Sequence, residues 1–99
     1  MNKYIIDCSD IKTEEEFWDA YVSNVEVDGE EYFGRNLDAL WDALHAGGPG
    51  TPKDRACFIS VRKTDSIKGI RNGGFYDHLR QVAYDLSTDP NCRMKFRVN

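Results

Sequence analysis

The sequence predicts a single α/β domain over residues 1–99, with a three-stranded parallel β-sheet packed by helices. Three observations lead there. Short β-branched or alternating apolar runs near residues 4–6, 56–61 and 92–98 are separated by segments with helical periodicity, and strands joined through helices need crossover connections that make neighbours parallel. A length of 99 residues suits one compact domain and is too short for two of ordinary size. Apolar residues at 40% and twelve aromatics supply enough to bury, so the chain is not compositionally disordered.

Each element has its own signal. Tyr4-Ile5-Ile6 is short and β-branched and reads as a buried strand. Thr13-Glu14-Glu15-Glu16 supplies a capping box and three acids in a first turn, where the helix dipole favours them, so a first helix starts near Glu14. Its apolar positions are Phe17, Trp18, Tyr21, Val22 and Val25, and Asp28-Gly29 marks a turn. Asn36 is a good N-cap placed before Leu37, Leu40, Trp41 and Leu44, a single apolar stripe that must face the core. Gly47-Gly48-Pro49-Gly50 stops this second helix and predicts a mobile connection. Ala56 to Val61 reads as the second strand, and the polar, basic stretch from Arg62 to Gly74 as a long loop with one short turn. Phe75, Leu79, Val82, Ala83 and Leu86 return to helical spacing until Asp89-Pro90-Asn91. Cys92 to Val98 then alternates Met94, Phe96 and Val98 with Arg93, Lys95 and Arg97, which is an edge-like strand.

Composition excludes several function classes. No run approaches the roughly 18 apolar residues of a membrane span, and Asp7 interrupts any signal-like stretch, so a soluble, cytoplasmic protein is expected. Cys8, Cys57 and Cys92 are odd in number and form no C-x-x-C pair, which predicts neither zinc nor disulfides but small buried hydrophobes in or beside strands. The glycines match neither G-x-G-x-x-G nor a P-loop, so nucleotide cradling has no support, and no cofactor or metal is expected. Net charge is −4, but residues 1–50 hold twelve acids against three bases, while residues 51–99 hold five against ten. A surface built from the first half would repel nucleic acid and attract a basic protein.

Asp38 and Asp42 lie four apart on the second helix, on a flank separate from the stripe, and like charges at this spacing cost an isolated helix about 0.2–0.5 kcal/mol. One reading pairs Asp38 with Arg35 and leaves Asp42 as a solvated charge beside His45. Another makes the two acids a projecting ridge, with Tyr32 as an aromatic anchor beside it, in the manner of an interface hot spot. A hydrolase built on Asp38, Asp42 and His45 is a third, but no HExxH, calcium loop or second His–carboxylate cluster supports it.

Tyr32-Phe33-Gly34-Arg35-Asn36-Leu37-Asp38-Ala39-Leu40-Trp41-Asp42-Ala43-Leu44 resembles the signature of the barstar family, intracellular inhibitors of barnase-like ribonucleases. The chain's length and element order fit as well. The resemblance implies a non-enzymatic immunity protein that neutralises a cognate bacterial ribonuclease toxin by occluding its basic active site with an acidic helix and adjoining loop. It implies a 1:1 complex, a monomer when free, and no nucleic acid or membrane partner. Asp42 matches the principal phosphate-mimicking aspartate, and Tyr32, Gly34, Asn36, Asp38 and Trp41 match other contact positions, with Asp85 on the third helix standing near a peripheral acidic contact. Arg35 stands where the signature carries an acid, Ala43 where it carries a cysteine, and Ala46-Gly47-Gly48 lacks the aromatic that follows the helix. The same fold serving as a regulatory module with a non-nuclease partner is the alternative.

Overall fold

A computed structural model describes residues 2–99. Three strands, β1 (Lys3–Asp7), β2 (Phe58–Arg62) and β3 (Lys95–Val98), form one sheet in the order β1-β2-β3, with both pairings parallel. The register sets Tyr4 beside Ile59 and Phe96, and Ile6 beside Val61 and Val98. Because side chains alternate along a strand, these six share one face, and it is the core face, with Ile6, Ile59 and Val61 fully buried. Helices α1 (Glu14–Asn24), α2 (Leu37–Ala46) and α3 (Gly74–Thr88) contribute their buried residues to the same core. No helix among the described residues is long and apolar enough to cross a membrane.

The opposite sheet face is bare. Lys3, Ile5, Lys95 and Arg97 are exposed on it, Ile5 by 48%, so β1 is not the buried strand its sequence predicts. Parallel sheets are usually covered on both faces, and the run Tyr4-Ile5-Ile6 has no polar residue to betray which side faces water.

The helix signals hold. Thr13 and Glu16 form the capping box, each backbone N–H donating to the other's side chain at 3.1 Å. On α2 the buried stripe is Leu37, Leu40, Ala43 and Leu44. The small Ala43 permits close approach to the core, and Trp41 is displaced to a half-buried margin. On α3 the expected Phe75, Leu79, Val82 and Leu86 are buried.

Two connections are more ordered than the sequence suggests. The segment after α2 is tied by hydrogen bonds to the connection that follows α1: Gly50 N–H donates to the Asp28 carbonyl at 2.7 Å, Asp28 N–H to the Thr51 carbonyl at 2.8 Å and Lys53 N–H to the Glu26 carbonyl at 2.9 Å. The stretch between β2 and α3 is not an open loop but two 3-10 turns, Thr64–Ile67 and Ile70–Gly73, anchored by a fully buried Ile67. The Thr64 hydroxyl donates to the Asn99 carbonyl, and Ser66 donates to Ser9 at 2.9 Å.

An aromatic cluster joins α1 to both neighbouring segments. Phe17 and Trp18 meet edge-on at 5.1 Å, Phe17 meets Phe75 of α3 at 5.3 Å, and Phe33 sits 5.7 Å from Trp18 and 5.4 Å from Tyr21. The buried Tyr21 hydroxyl donates to the Gly50 carbonyl at 2.8 Å. Gly50 has φ +90°, and a Cβ there would fall 2.5 Å from Phe33 Cδ1. Gly50→Ala should therefore lower stability by at least about 1–3 kcal/mol from backbone strain alone, read as the midpoint of urea unfolding. An unchanged midpoint would show that this loop yields freely.

Cys8 and Cys57 are fully buried beside β1 and β2, as expected, and burial pushes each thiol up to about 11. Cys92, ahead of β3, is only half-buried and lines two surface clefts. Thiolate is the reactive form, so the native protein should give one rapidly labelled thiol with a disulfide reagent at pH 8, and three after denaturation. Rapid labelling of Cys8 or Cys57 would contradict the packing.

Candidate functional site

The buried Phe33 fixes the approach to α2 and turns its neighbours outward. Gly29, with φ +70°, opens the 3-10 turn Glu30–Tyr32, which Tyr32 and Phe33 close with N–H donations to the Gly29 and Glu30 carbonyls at 2.9 and 3.1 Å. Phe33 enters the core, and Tyr32 is left 76% exposed. Gly34 passes close to the helix, since a Cβ there would sit 3.1 Å from the Ala39 methyl. Asn36 Oδ1 accepts the Ala39 N–H at 2.7 Å while its Nδ2 donates to the Gly34 carbonyl at 3.2 Å, so its amide orders the helix start from both sides.

Arg35 does not reach Asp38. Its backbone is left-handed at φ +52°, and its guanidinium pairs with Asp19 on α1. Sequence spacing could not show this, because the partner lies on another helix. Asp38 and Asp42 are both exposed on α2 and form no ion pair among the described residues. Asp38 lies in the first turn, where the helix dipole favours its charge. Glu30 and Glu31 add exposed carboxylates beside Tyr32.

Asp42 has a neighbour that sequence reasoning missed. A Cβ on Gly48 would overlap Asp42 Oδ2, so the carboxylate rests in space that only glycine leaves free. The Gly47 and Gly48 N–H groups both point at the Asp42 carbonyl, the Gly48 contact being 3.2 Å. In the sequence Gly47-Gly48-Pro49-Gly50 reads only as a helix stop, because nothing local reveals which side chain folds over it.

Trp41 and His45, one turn apart, stack with ring centroids 4.6 Å apart and planes 9° from parallel. His45 Nδ1 lies 3.0 Å from Asp89 Oδ2, at the end of α3. His45 is thus engaged by α3 and not by Asp42, which removes the geometry a hydrolytic pairing would require. Among the described residues no group of three or more His, Cys, Asp or Glu side chains is placed to hold a metal ion. Asp85 is half-buried on α3, one turn before Asp89, and accepts from Gln81 Nε2 at 2.8 Å. It therefore stands on the neighbouring helix and not on the α2 ridge with Asp38 and Asp42.

Three clefts of about 260–290 Å³ among the described residues lie away from Tyr32, Asp38 and Asp42, along α3, β3 and the segment between them. A search of curated proteins finds no match. A family model described as Barstar (barnase inhibitor) matches residues 1–97, nearly the whole chain, and the parallel three-stranded sheet with its three helices agrees with that fold. With the signature segment standing as one capped, acid-bearing helix, the chain belongs to the Barstar (barnase inhibitor) family.

Proposed function

We propose that this protein is an immunity protein that binds a cognate ribonuclease toxin one to one and seats α2 and the 30–36 turn in its basic active site. Membership of a family of barnase inhibitors supports an inhibitory, non-enzymatic role of this general kind. The observation that supports the finer reading is the pair of exposed, unpaired carboxylates, Asp38 and Asp42, one turn apart on a helix capped at both ends.

The physical argument rests on preorganisation. A ribonuclease cleft concentrates Arg, Lys and His groups where RNA phosphates bind, and a carboxylate held there accepts charge-assisted hydrogen bonds from them. The Asp42 carboxylate is already placed over Gly48, and α2 cannot tilt without disturbing Phe33 or the Asn36 cap. Little backbone freedom is then lost on binding. Tyr32, with its ring in water, supplies a large apolar contact beside the acids. In this reading Trp41 presents its free edge next to Asp42, Gly34 allows close backbone approach, Asn36 holds the helix start, and Asp85 contributes only at the periphery. The free protein is a monomer that acts in the cytoplasm of the bacterium that makes the toxin.

Titration into RNA cleavage by the ribonuclease encoded beside this protein tests the proposal. Stoichiometric loss of activity is expected, weakening as salt rises. Asp42→Ala should cost about 2–5 kcal/mol of binding, and Glu26→Ala, an exposed acid off the helix, almost nothing, with neither moving the thermal midpoint appreciably. Equal effects would reject the assigned site. Inhibition absent altogether would transfer the fold to a regulatory partner.

Gly48→Ala separates positioning from contact. The added methyl must displace the Asp42 carboxylate, so the variant should weaken inhibition in the wild-type background and do nothing further in Asp42→Ala. A coupling of about 0.5–3 kcal/mol is expected from a double-mutant cycle. Additive losses would show that Gly48 acts on the fold and not through Asp42.

A further inference from the structure

The bare face of the sheet is a second charged surface, on the side away from the helices. Strand register brings Lys3, Phe58 and Lys95 into one row and Ile5, Ser60 and Arg97 into the next, with Arg62 following Ser60 on β2. Lys3, Arg62, Lys95 and Arg97 are exposed and form no ion pair among the described residues. Asp7 is the acid of the following row, where the register sets it beside Arg62; it forms no ion pair with Arg62 and is engaged by Lys63 at 3.8 Å and by the Ser9 N–H at 2.9 Å.

Two of the four cations are held in place. Arg62 Nε donates to Ser60 Oγ at 3.0 Å, laying the guanidinium back along β2, and the Arg97 guanidinium lies 5.5 Å from the centre of the Phe58 ring. Their outer N–H groups remain free. With strands about 4.8 Å apart, the four cations occupy a strip about 10 Å wide, interleaved with the aromatic Phe58 and the exposed Ile5. A flat sheet bearing fixed cations and apolar ring surface is how single-stranded nucleic acid is held, phosphates on the cations and bases on rings or guanidinium planes. The acidic helix does not prevent this. It contributes its buried side to the core beneath the other face of the sheet, and Asp38 and Asp42 are exposed away from that core, so the two charged surfaces face different sides of the molecule.

We propose that the open sheet face, through Lys3, Arg62, Lys95 and Arg97, binds single-stranded nucleic acid by its phosphates. This is independent of the ribonuclease reading, and it limits the expectation of a chain that avoids nucleic acid to the acidic side.

The test is fluorescence anisotropy of a labelled twelve-nucleotide single-stranded RNA, and of DNA of the same sequence, titrated with the full chain from 50 to 200 mM salt. Four phosphate contacts predict a slope of log affinity against log salt of about −2.8, a loss of about fifty-fold over that range. Lys95→Gln combined with Arg97→Gln should halve the slope, while Lys12→Gln, an exposed lysine off this face, and Asp42→Ala should leave it unchanged. Binding of either oligonucleotide with this pattern supports the proposal, and a preference for RNA would add recognition of the ribose hydroxyl. No binding at 50 mM salt, or binding indifferent to the Lys95/Arg97 double substitution, overturns it. So would equal affinity for polyglutamate of matching length, which would assign the face to acidic proteins. Unchanged thermal midpoints confirm that these exposed substitutions act on binding and not on folding.

Discussion

The presentation of the acidic helix depends on the burial of one ring, Phe33. It is packed between Trp18 and Tyr21 of α1, and the backbone of Gly50 closes over it from the far side. Tyr21 completes the clamp through its hydroxyl on the Gly50 carbonyl. The segment that enters α2 and the segment that leaves it are therefore tied to the same helix. Magnitudes decide why this matters. Truncating a buried aromatic costs about 3–5 kcal/mol, whereas two aspartates at i and i+4 cost a helix about 0.2–0.5 kcal/mol. Tertiary packing overwhelms the local repulsion, and α2 can carry Asp38 and Asp42 side by side without compensation from a basic side chain.

Much of this arrangement was legible in the residues. The capping box at Thr13 and Glu16, the N-cap at Asn36 and the apolar periods of α1 and α3 are local signals, and the structure reproduces them. The signature from Tyr32 to Leu44 marked the segment that became the exposed acidic helix. What escaped reading is long-range. Arg35 finds Asp19 on α1, the glycine-rich stretch is held by residues 26–28, and the polar crossover after β2 is organised around a single buried side chain, Ile67. None of these partners is adjacent in sequence, and periodicity cannot register a lone buried residue. Ile5 failed for the opposite reason, because an uninterrupted apolar run hides which of its members faces water.

The charge asymmetry between the two halves of the chain becomes partly spatial in the fold. The acids of the 30–42 segment gather on the helical side, while Lys95 and Arg97 from the last strand, with Arg62, lie on the opposite face of the sheet. Separation matters because charges of opposite sign within a screening length diminish each other's field. Cations on the other face of the sheet point away from Asp38 and Asp42, so each side of the molecule keeps its own sign of charge.

The open face also answers how a parallel sheet tolerates having helices on one side only. The sheet is three strands of four or five residues, so the surface needing cover is small. Long basic side chains can provide that cover, because their aliphatic stems lie over apolar or buried groups while their charged ends stay in water. Arg97 lies over Phe58, and Arg62 folds back onto Ser60, which is only 4% exposed despite facing the open side. Replacing those cations with acids would lose the ring contact and the Ser60 hydrogen bond. The same residues thus shield the bare face and make it positive, so its charge follows from how the sheet is closed against water.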